Sequence, residues 1–140
     1  MSESLKFHFD VDGEDFTSAG QASVHVKKNL RQLGISPDII RRVSIAMYEG
    51  EINMVIHADG GDADVIVYED CIEIRLQDSG PGIADIDLAM QEGYSTAPDN
   101  IRSLGFGAGM GLPNMKRYTD SMEIQSEVGK GTLIVMKVNL

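Results

Sequence analysis

The hydrophobic period changes several times along the chain, and the order of these changes limits the folds that it can adopt. Apolar and polar residues alternate over residues 5–10, as in a half-buried strand, and take helical spacing over about 16–33 and over 37–58. Alternation returns over 63–68 and 72–77, with two acidic residues between the two stretches. The pattern predicts a strand, two consecutive helices and a hairpin.

The junction between the two predicted helices carries its own signals. Gly34 suits a helix C-cap, because glycine adopts the left-handed backbone that ends many helices. Ser36 suits an N-cap, and Pro37 behind it suits the first helical position.

The second half of the chain follows a long gap. A third helix fits residues 109–119, and two further alternating stretches at 122–127 and 132–138 enclose the turn Val128-Gly129-Lys130-Gly131. This spacing predicts a second hairpin. The predicted order is therefore strand, two helices, two strands, loop, helix and two strands.

The composition fits one domain and disfavours several kinds of partner. With 140 residues, of which 42% are hydrophobic and 24% charged, we expect a single domain over residues 1–140. Twenty-two Asp and Glu against twelve Lys and Arg give a net charge of −10, so neither nucleic acid nor a membrane surface is expected as a partner. The N terminus does not resemble a signal peptide, and no stretch has the roughly 20 apolar residues that cross a bilayer, so we expect a cytoplasmic protein. Cys71 has no second cysteine to pair with and is predicted to be a small buried strand residue.

Two glycine-bearing stretches flank a segment of about thirty residues that has no strong period apart from a short helix predicted near residues 86–91. They are Asp78-Ser79-Gly80-Pro81-Gly82 and Gly105-Phe106-Gly107-Ala108-Gly109-Met110-Gly111. A loop of this length in a compact domain is typical of a lid or a binding loop. Glycines where a loop meets a helix let backbone N–H groups approach phosphate oxygens, and a flexible surface loop is the alternative.

The helix predicted over residues 37–58 brings a carboxylate and an amide together. Glu49 and Asn53 lie one turn apart, on a side that otherwise carries Ile45, Ile52 and Ile56. A carboxylate among apolar groups needs a compensating partner, such as a ligand or a metal-bound water.

Other interpretations of this helix remain open. Glu49 could instead pair with Arg41 or Arg42, two turns back, or lie at the rim of the apolar side. Glu51 falls on the opposite side of the helix and is predicted to be solvated. His57, near the helix end, is interpreted as structural.

Asp78 ends a predicted strand and precedes Gly80 and Gly82, where a side chain can project from a sheet edge into a cleft. An ionised carboxylate only accepts hydrogen bonds, so Asp78 could accept one from an exocyclic amine of a ligand. The alternative is an Asx turn that closes the strand.

Four motifs together carry a resemblance to a known family: Glu49-x-x-x-Asn53, Asp78-x-Gly80-x-Gly82, Gly105-x-Gly107-x-Gly109-x-Gly111 and Gly129-Lys130-Gly131-Thr132. In order and spacing they resemble the N, G1 and G2 boxes of the GHKL-type, or histidine-kinase-like, ATPases. The runs at residues 53–58 and 111–117 look most like those of the bacterial anti-sigma regulatory serine/threonine protein kinases. The resemblance covers about residues 5–140. It implies an α+β fold, a two-layer α/β sandwich whose mixed, mainly antiparallel sheet has helices on one face, with an ATP lid at about residues 83–108.

The resemblance also implies ATP and Mg²⁺ as cofactors and a role for each matching residue. Asn53 would be the Mg²⁺ ligand, Glu49 the catalytic base or water-positioning carboxylate, and Asp78 the acceptor for the adenine amino group. The other residues that the resemblance implies in nucleotide binding are Gly80, Gly82, Gly105, Gly107, Gly109, Gly111 and Thr132. Arg102 joins them because of its charge and its place in the lid, whereas Lys116 is interpreted as an exposed helix cation.

Other nucleotide-binding families fit less well, because the chain has no GxxxxGK[ST] loop and no HRD or DFG stretch. The resemblance implies a serine/threonine kinase that phosphorylates a STAS-domain antagonist and controls a sigma factor or a stress-signalling partner. In the usual arrangement of the family such a kinase also holds the sigma factor inactive, and the family suggests homodimerisation. Two alternatives remain: a nucleotide-dependent binding switch without significant phosphoryl transfer, and a stand-alone histidine-kinase-type ATPase domain. The last is weakened because none of the three histidines lies on a separate dimerisation hairpin.

Overall fold

The computed structural model describes residues 5–12, 20–58, 60–80, 82–83, 90 and 111–140. In chain order, its elements are β1 (Leu5–Asp12), α1 (Gln21–Gln32), α2 (Pro37–Ala58), β2 (Gly60–Val67), β3 (Cys71–Asp78), α3 (Gly111–Arg117), β4 (Ser121–Glu127) and β5 (Gly131–Asn139). The predicted succession of strands and helices is confirmed in these residues. The short helix predicted near 86–91 falls almost wholly outside them.

The five strands form one sheet in the order β1-β2-β3-β5-β4. Every pairing among them is antiparallel, and β2 with β3 and β4 with β5 form the two predicted hairpins. The expectation of a mainly antiparallel sheet is confirmed.

The strand alternation places one face of the sheet in the core. Two cross-strand rows of apolar residues lie on this face: Phe7, Val65, Ile74, Met136 and Met122 in one, and Phe9, Ala63, Leu76, Ile134 and Ile124 in the other. Residues of all three helices, among them Val26, Met47 and Met115, join the same buried cluster. A sheet with helices packed on one face is the two-layer arrangement that the sequence predicts.

The opposite face of the sheet is polar and carries ion pairs. Lys6 and His8 of β1 both contact Asp64 Oδ1. The distance is 3.9 Å from Lys6 Nζ and 2.6 Å from His8 Nδ1. Hydrogen bonds to Asp64 and Asp10 raise the pKa of the exposed His8 ring. Cys71, predicted to be buried, is only half-buried, because the alternation of β3 points Ile72 into the core and Cys71 to this outer face.

The predicted caps between α1 and α2 are confirmed. Gly34 has a φ of +76°, its N–H donates to the Arg31 carbonyl, and the N–H of Ile35 donates to the Leu30 carbonyl, which is the Schellman arrangement. The Ser36 hydroxyl accepts a hydrogen bond from the N–H of Ile39, at 3.4 Å, as an N-cap does.

The prediction that Glu51 is solvated is wrong, because its side chain is only 2% exposed. Its Oε2 accepts the N–H groups of Gly20 and Ala22 at 3.0 and 3.1 Å, and its Oε1 accepts that of Ser23 at 2.6 Å. The first N–H groups of a helix have no partner within the helix, so this carboxylate of α2 caps the start of α1 from outside. Burial raises the pKa of Glu51 more than the three donors lower it.

Glu51 was predicted to be solvated because the wrong side of α2 was expected to face the core. The stripe that packs against the sheet contains Val43, Met47 and Met54, with Glu51 beside it. Ile45, on the side predicted to be apolar and inward, is only half-buried.

Candidate functional site

A glycine in the middle of α2 sets how closely this helix approaches the sheet. A Cβ added at Gly50 would overlap the Leu76 Cδ1 methyl of β3 and lie 3.5 Å from Met115 Sδ of α3. Glycine within a helix costs up to about 1 kcal/mol relative to alanine, so this position trades helix propensity for close packing. Gly50 therefore stands where α2, β3 and α3 meet, and Glu49 is the residue before it.

Glu49 is half-buried and accepts a hydrogen bond from an uncharged donor. Asn114 Nδ2 of α3 lies 3.4 Å from Glu49 Oε1. Burial raises the pKa of Glu49, and the hydrogen bond from Asn114 opposes this more weakly. The sequence analysis did not single out Asn114 as a site residue, because no sequence pattern links two residues 65 positions apart.

The alternative in which Glu49 pairs with an arginine of its own helix is not what the structure shows. Arg41 pairs with Asp38 at 3.5 Å and lies over the Tyr118 ring. Arg42 pairs with Asp120 at 3.2 Å and donates from Nε to the Tyr118 carbonyl. Both guanidinium groups are therefore engaged near the N-terminal end of α2, away from Glu49.

Asn53 is half-buried and lies one turn beyond Glu49 on the same side of α2. Its amide makes no hydrogen bond to another residue in the described part of the chain. A Cβ added at Gly61 would lie 3.1 Å from both Met54 Sδ and Asp78 Cα. The turn of α2 that carries Asn53 therefore passes close to the end of β3.

Asp78, the last residue of β3, accepts two backbone hydrogen bonds. Its Oδ1 lies 2.9 Å from Gly80 N and 3.2 Å from Thr132 N. The first bond is the Asx turn that the sequence left open as an alternative, and that interpretation is confirmed. Both donors reach Oδ1, so Oδ2 receives no hydrogen bond from any described residue.

The backbone runs unusually close on both sides of Asp78. A Cβ at Gly131 would overlap the Asp78 carbonyl oxygen, and one at Gly61 would overlap the Gln77 carbonyl oxygen. Gly82, with a φ of +79°, packs against the Glu127 carbonyl in the same way. Side chains are thereby excluded at Gly61 and Gly131 beside the Asp78 backbone, and at Gly82 beside Glu127.

Thr132 is 7% exposed and belongs to a chain of hydrogen bonds that leads away from Asp78. Its hydroxyl bonds to the Ser126 hydroxyl at 2.9 Å, and Ser126 Oγ accepts the N–H of Ile83 at 2.7 Å. The sequence analysis missed Ser126, although the hairpin register that pairs it with Thr132 could have indicated it. The network holds residues 82–83 against the β4–β5 hairpin.

The remaining predicted residues lie in or next to the second glycine stretch. Arg102, Gly105, Gly107 and Gly109 lie outside the described residues. Gly111 is the first residue of α3, and Lys116 is exposed on that helix, as interpreted.

Comparisons with known proteins agree with this fold. Residues 38–140 match the family described as histidine kinase-, DNA gyrase B-, and HSP90-like ATPases. The chain is 34% identical over 121 residues to a protein named anti-sigma F factor from Clostridium kluyveri, covering 83% of this chain and 82% of that protein. It is 35% identical over 140 residues to the anti-sigma F factor of Clostridium beijerinckii, covering 96% and 91% of the two chains.

A solved structure supports the fold independently of sequence. The RsbU and RsbW domains of a Mycobacterium tuberculosis protein superpose with a TM-score of 0.66 at 14% identity, covering 96% of this chain and 32% of that one. The protein belongs to the histidine kinase-, gyrase B- and HSP90-like ATPase family. Within it, both of these Clostridium relatives carry the name anti-sigma F factor. In the part of the chain that the structure describes, no helix combines the length and apolar character needed to cross a membrane.

Proposed function

We propose that the protein is an ATP-dependent serine/threonine protein kinase that phosphorylates a STAS-domain antagonist and thereby controls a sigma factor. The observation that carries the proposal is the state of Glu49. It is half-buried, has a raised pKa and accepts a hydrogen bond from an amide rather than from a cation. A carboxylate held in this way retains the ability to accept a proton, which a tight ion pair would suppress.

The end of β3 fits the adenine ring of ATP. Asp78 Oδ2 is available to accept a hydrogen bond from the exocyclic amine, while Oδ1 fixes the side chain through Gly80 and Thr132. Gly80 and Gly82 would shape this pocket, as the family resemblance implies. A Cβ at Gly82 or Gly131 would overlap neighbouring backbone, so only glycine lets these segments pack so closely.

The α2 residues fit the phosphate end of the same ligand. Asn53 offers an uncommitted amide oxygen, the kind of hard ligand that Mg²⁺ accepts beside phosphate oxygens. When bound there, the metal would neutralise phosphate charge that the acidic chain otherwise repels. Asn53 would hold the metal, and Glu49, one turn away, would face the reacting phosphate.

In the proposed transfer step, Glu49 receives the proton of the acceptor hydroxyl. The hydroxyl oxygen of the acceptor serine or threonine bonds to the γ-phosphorus as the bond from that phosphorus to the β–γ bridging oxygen breaks, and ADP leaves with the bond's electron pair. Glu49 orients the hydroxyl and accepts its proton. The donors and the metal ligand position the nucleotide without entering the covalent change.

The segment at about residues 83–108 is proposed as the ATP lid. Gly105, Gly107, Gly109 and Gly111 would place backbone N–H groups on the phosphates, and Arg102 would reach the γ-phosphate. The hydrogen bond from Ile83 to Ser126 supports this assignment, because it anchors the start of the segment beside the proposed adenine pocket.

The cellular setting is part of the same proposal. We place the protein in the cytoplasm as one domain over residues 1–140, with homodimerisation as the family suggests. The names of the relatives support a sigma factor as the final target.

A phosphotransfer assay tests the proposal. The protein, saturated with Mg-ATP and mixed with the STAS protein encoded next to it, should transfer ³²P from [γ-³²P]ATP to a serine or threonine. Glu49→Gln should abolish most of this transfer, and Glu123→Gln, an exposed glutamate on β4, serves as the matched control. Nucleotide-dependent binding of the STAS protein without transfer would replace the kinase by a binding switch, and phosphate trapped on histidine would indicate a histidine-kinase-type domain.

A further inference from the structure

Asn114 is placed to control the geometry of Glu49. It is half-buried on α3, and Leu112 and Met115 of the same helix are buried, at 6% and 0% exposure. These two buried residues hold the short helix on the core, which fixes the backbone position of Asn114 relative to Glu49. The hydrogen bond at 3.4 Å joins two elements that are 65 residues apart in sequence.

The packing around Gly50 makes this contact sensitive to the position of α3. Met115 Sδ lies within 3.5 Å of the place that a Cβ on Gly50 would occupy. Glu49 is the residue before Gly50 on α2, and Asn114 is the residue before Met115 on α3. A shift of α3 relative to α2 must therefore change the Asn114–Glu49 separation.

The chemistry of the donor suits a positioning role. Asn114 contributes one neutral N–H to Oε1, and no described residue donates to Oε2. One oxygen is thus fixed while the other is left to meet a substrate hydroxyl. A lysine or arginine in this place would hold the carboxylate more strongly, and would also reduce its basicity.

We infer that Asn114 is a positioning residue that sets the orientation of the Glu49 carboxylate and links it to the helix that follows the second glycine stretch. The inference rests on the proposed function, in which Glu49 receives the proton. Asn114 itself touches no reacting atom.

The contact is tested first in protein without nucleotide or partner. The side-chain NH₂ resonances of Asn114, assigned by their loss in Asn114→Leu, should move in Glu49→Gln. Those of Asn29, half-buried on α1, serve as the control and should not move. Unmoved Asn114 resonances would overturn the inference, whatever the protein does with ATP.

The role is tested next by kinetics with Mg-ATP and the STAS protein. Asn114→Leu should lower kcat about tenfold, the scale of one hydrogen bond to a charged group, and leave the KM for ATP within a few-fold. Asn114→Gln, which keeps a donor, should recover part of the loss, and Asn114→Asp, which keeps the shape without the donor, should not. Asn29→Leu serves as the control for substitution at a half-buried helical asparagine.

A double-mutant cycle separates positioning from general structural damage. In a Glu49→Gln background, Asn114→Leu should cause no further loss of kcat, because the group that it positions is gone. A further loss of the same size would overturn the positioning role while leaving the kinase proposal intact. Absence of transfer in the parent protein would overturn the kinase proposal and Asn114's part in it, although the resonance shift would still establish the contact.

Discussion

Glu49 and Glu51 stand on either side of Gly50 in α2, yet the fold gives them different surroundings. Glu51 is 2% exposed and accepts three backbone N–H groups at the start of α1. Glu49 is half-buried and accepts one long hydrogen bond from a side-chain amide. Burial raises the pKa of both.

The comparison shows that burial by itself does not decide how much hydrogen-bonding capacity a carboxylate retains. Three converging backbone donors use the acceptor capacity of Glu51 within the fold, so this residue holds α1 to α2. Glu49 accepts only one hydrogen bond from the described residues, so its second oxygen can still accept another. Asp78 falls between them, with two backbone donors on one oxygen.

The largest effect should come from removing the acceptor at Glu51. Glu51→Leu leaves three buried N–H groups without a partner, and at about 1–3 kcal/mol for each the free energy of unfolding should fall by roughly 3 kcal/mol or more. Urea denaturation of the parent and the variant measures this fall in the free energy of unfolding. Glu49→Leu, at a half-exposed position, is the matched comparison, and an equal loss in the two variants would break the distinction between them.

Next in size is the chemical effect of Glu49. Glu49→Gln should slow phosphoryl transfer by roughly 10²-fold or more, the usual contribution of a positioned general base, and change nucleotide affinity only a few-fold. Single-turnover transfer and calorimetry measure the two quantities. Glu51→Gln should transfer phosphate at nearly the parent rate once folded; a matching loss of rate there would mean that both carboxylates serve the chemistry.

A smaller effect is expected at Asp78. Asp78→Asn keeps Oδ1 as an acceptor for the turn but replaces the other oxygen by a donor, so the fold should persist. ATP affinity should fall about ten- to a hundred-fold, as expected for loss of a hydrogen bond to a charged group. Calorimetry with Mg-ATP and Mg-ADP measures this affinity. Unchanged affinity would show that adenine does not bind at the end of β3.

The smallest effect is the pH dependence of stability due to Glu51. Its pKa is higher in the folded protein than the ordinary 4.5, so the folded state binds more protons between these two pKa values. The stability of the parent relative to Glu51→Gln should therefore be greatest below the unfolded pKa and decline as pH rises through the folded pKa. Denaturation of both proteins across this range measures the difference; an opposite slope would show that the three donors outweigh burial.

Local signals predicted much of the fold. Strand alternation gave both hairpins, and the Gly34 and Ser36 caps separated α1 from α2 where expected. These features depend on residues close together in sequence, so their physics is contained in a short window.

The inward face of α2 was harder to predict, because apolar residues occur almost all around this 22-residue helix. Periodicity gives a helix but does not choose among several apolar sides. Gly50 is one position that this packing requires, because a Cβ there would overlap Leu76, but the inward face was set by the core as a whole.

The sequence by itself determined the order of elements, the hairpin pairing and the spacing of Glu49, Asn53 and Asp78. Only the tertiary structure decided which glutamate of α2 caps α1 and which one meets Asn114. A hydrogen-bond partner supplied by a distant element depends on the rotation and depth of helix packing. Those are fixed by the whole core, and no local pattern contains them.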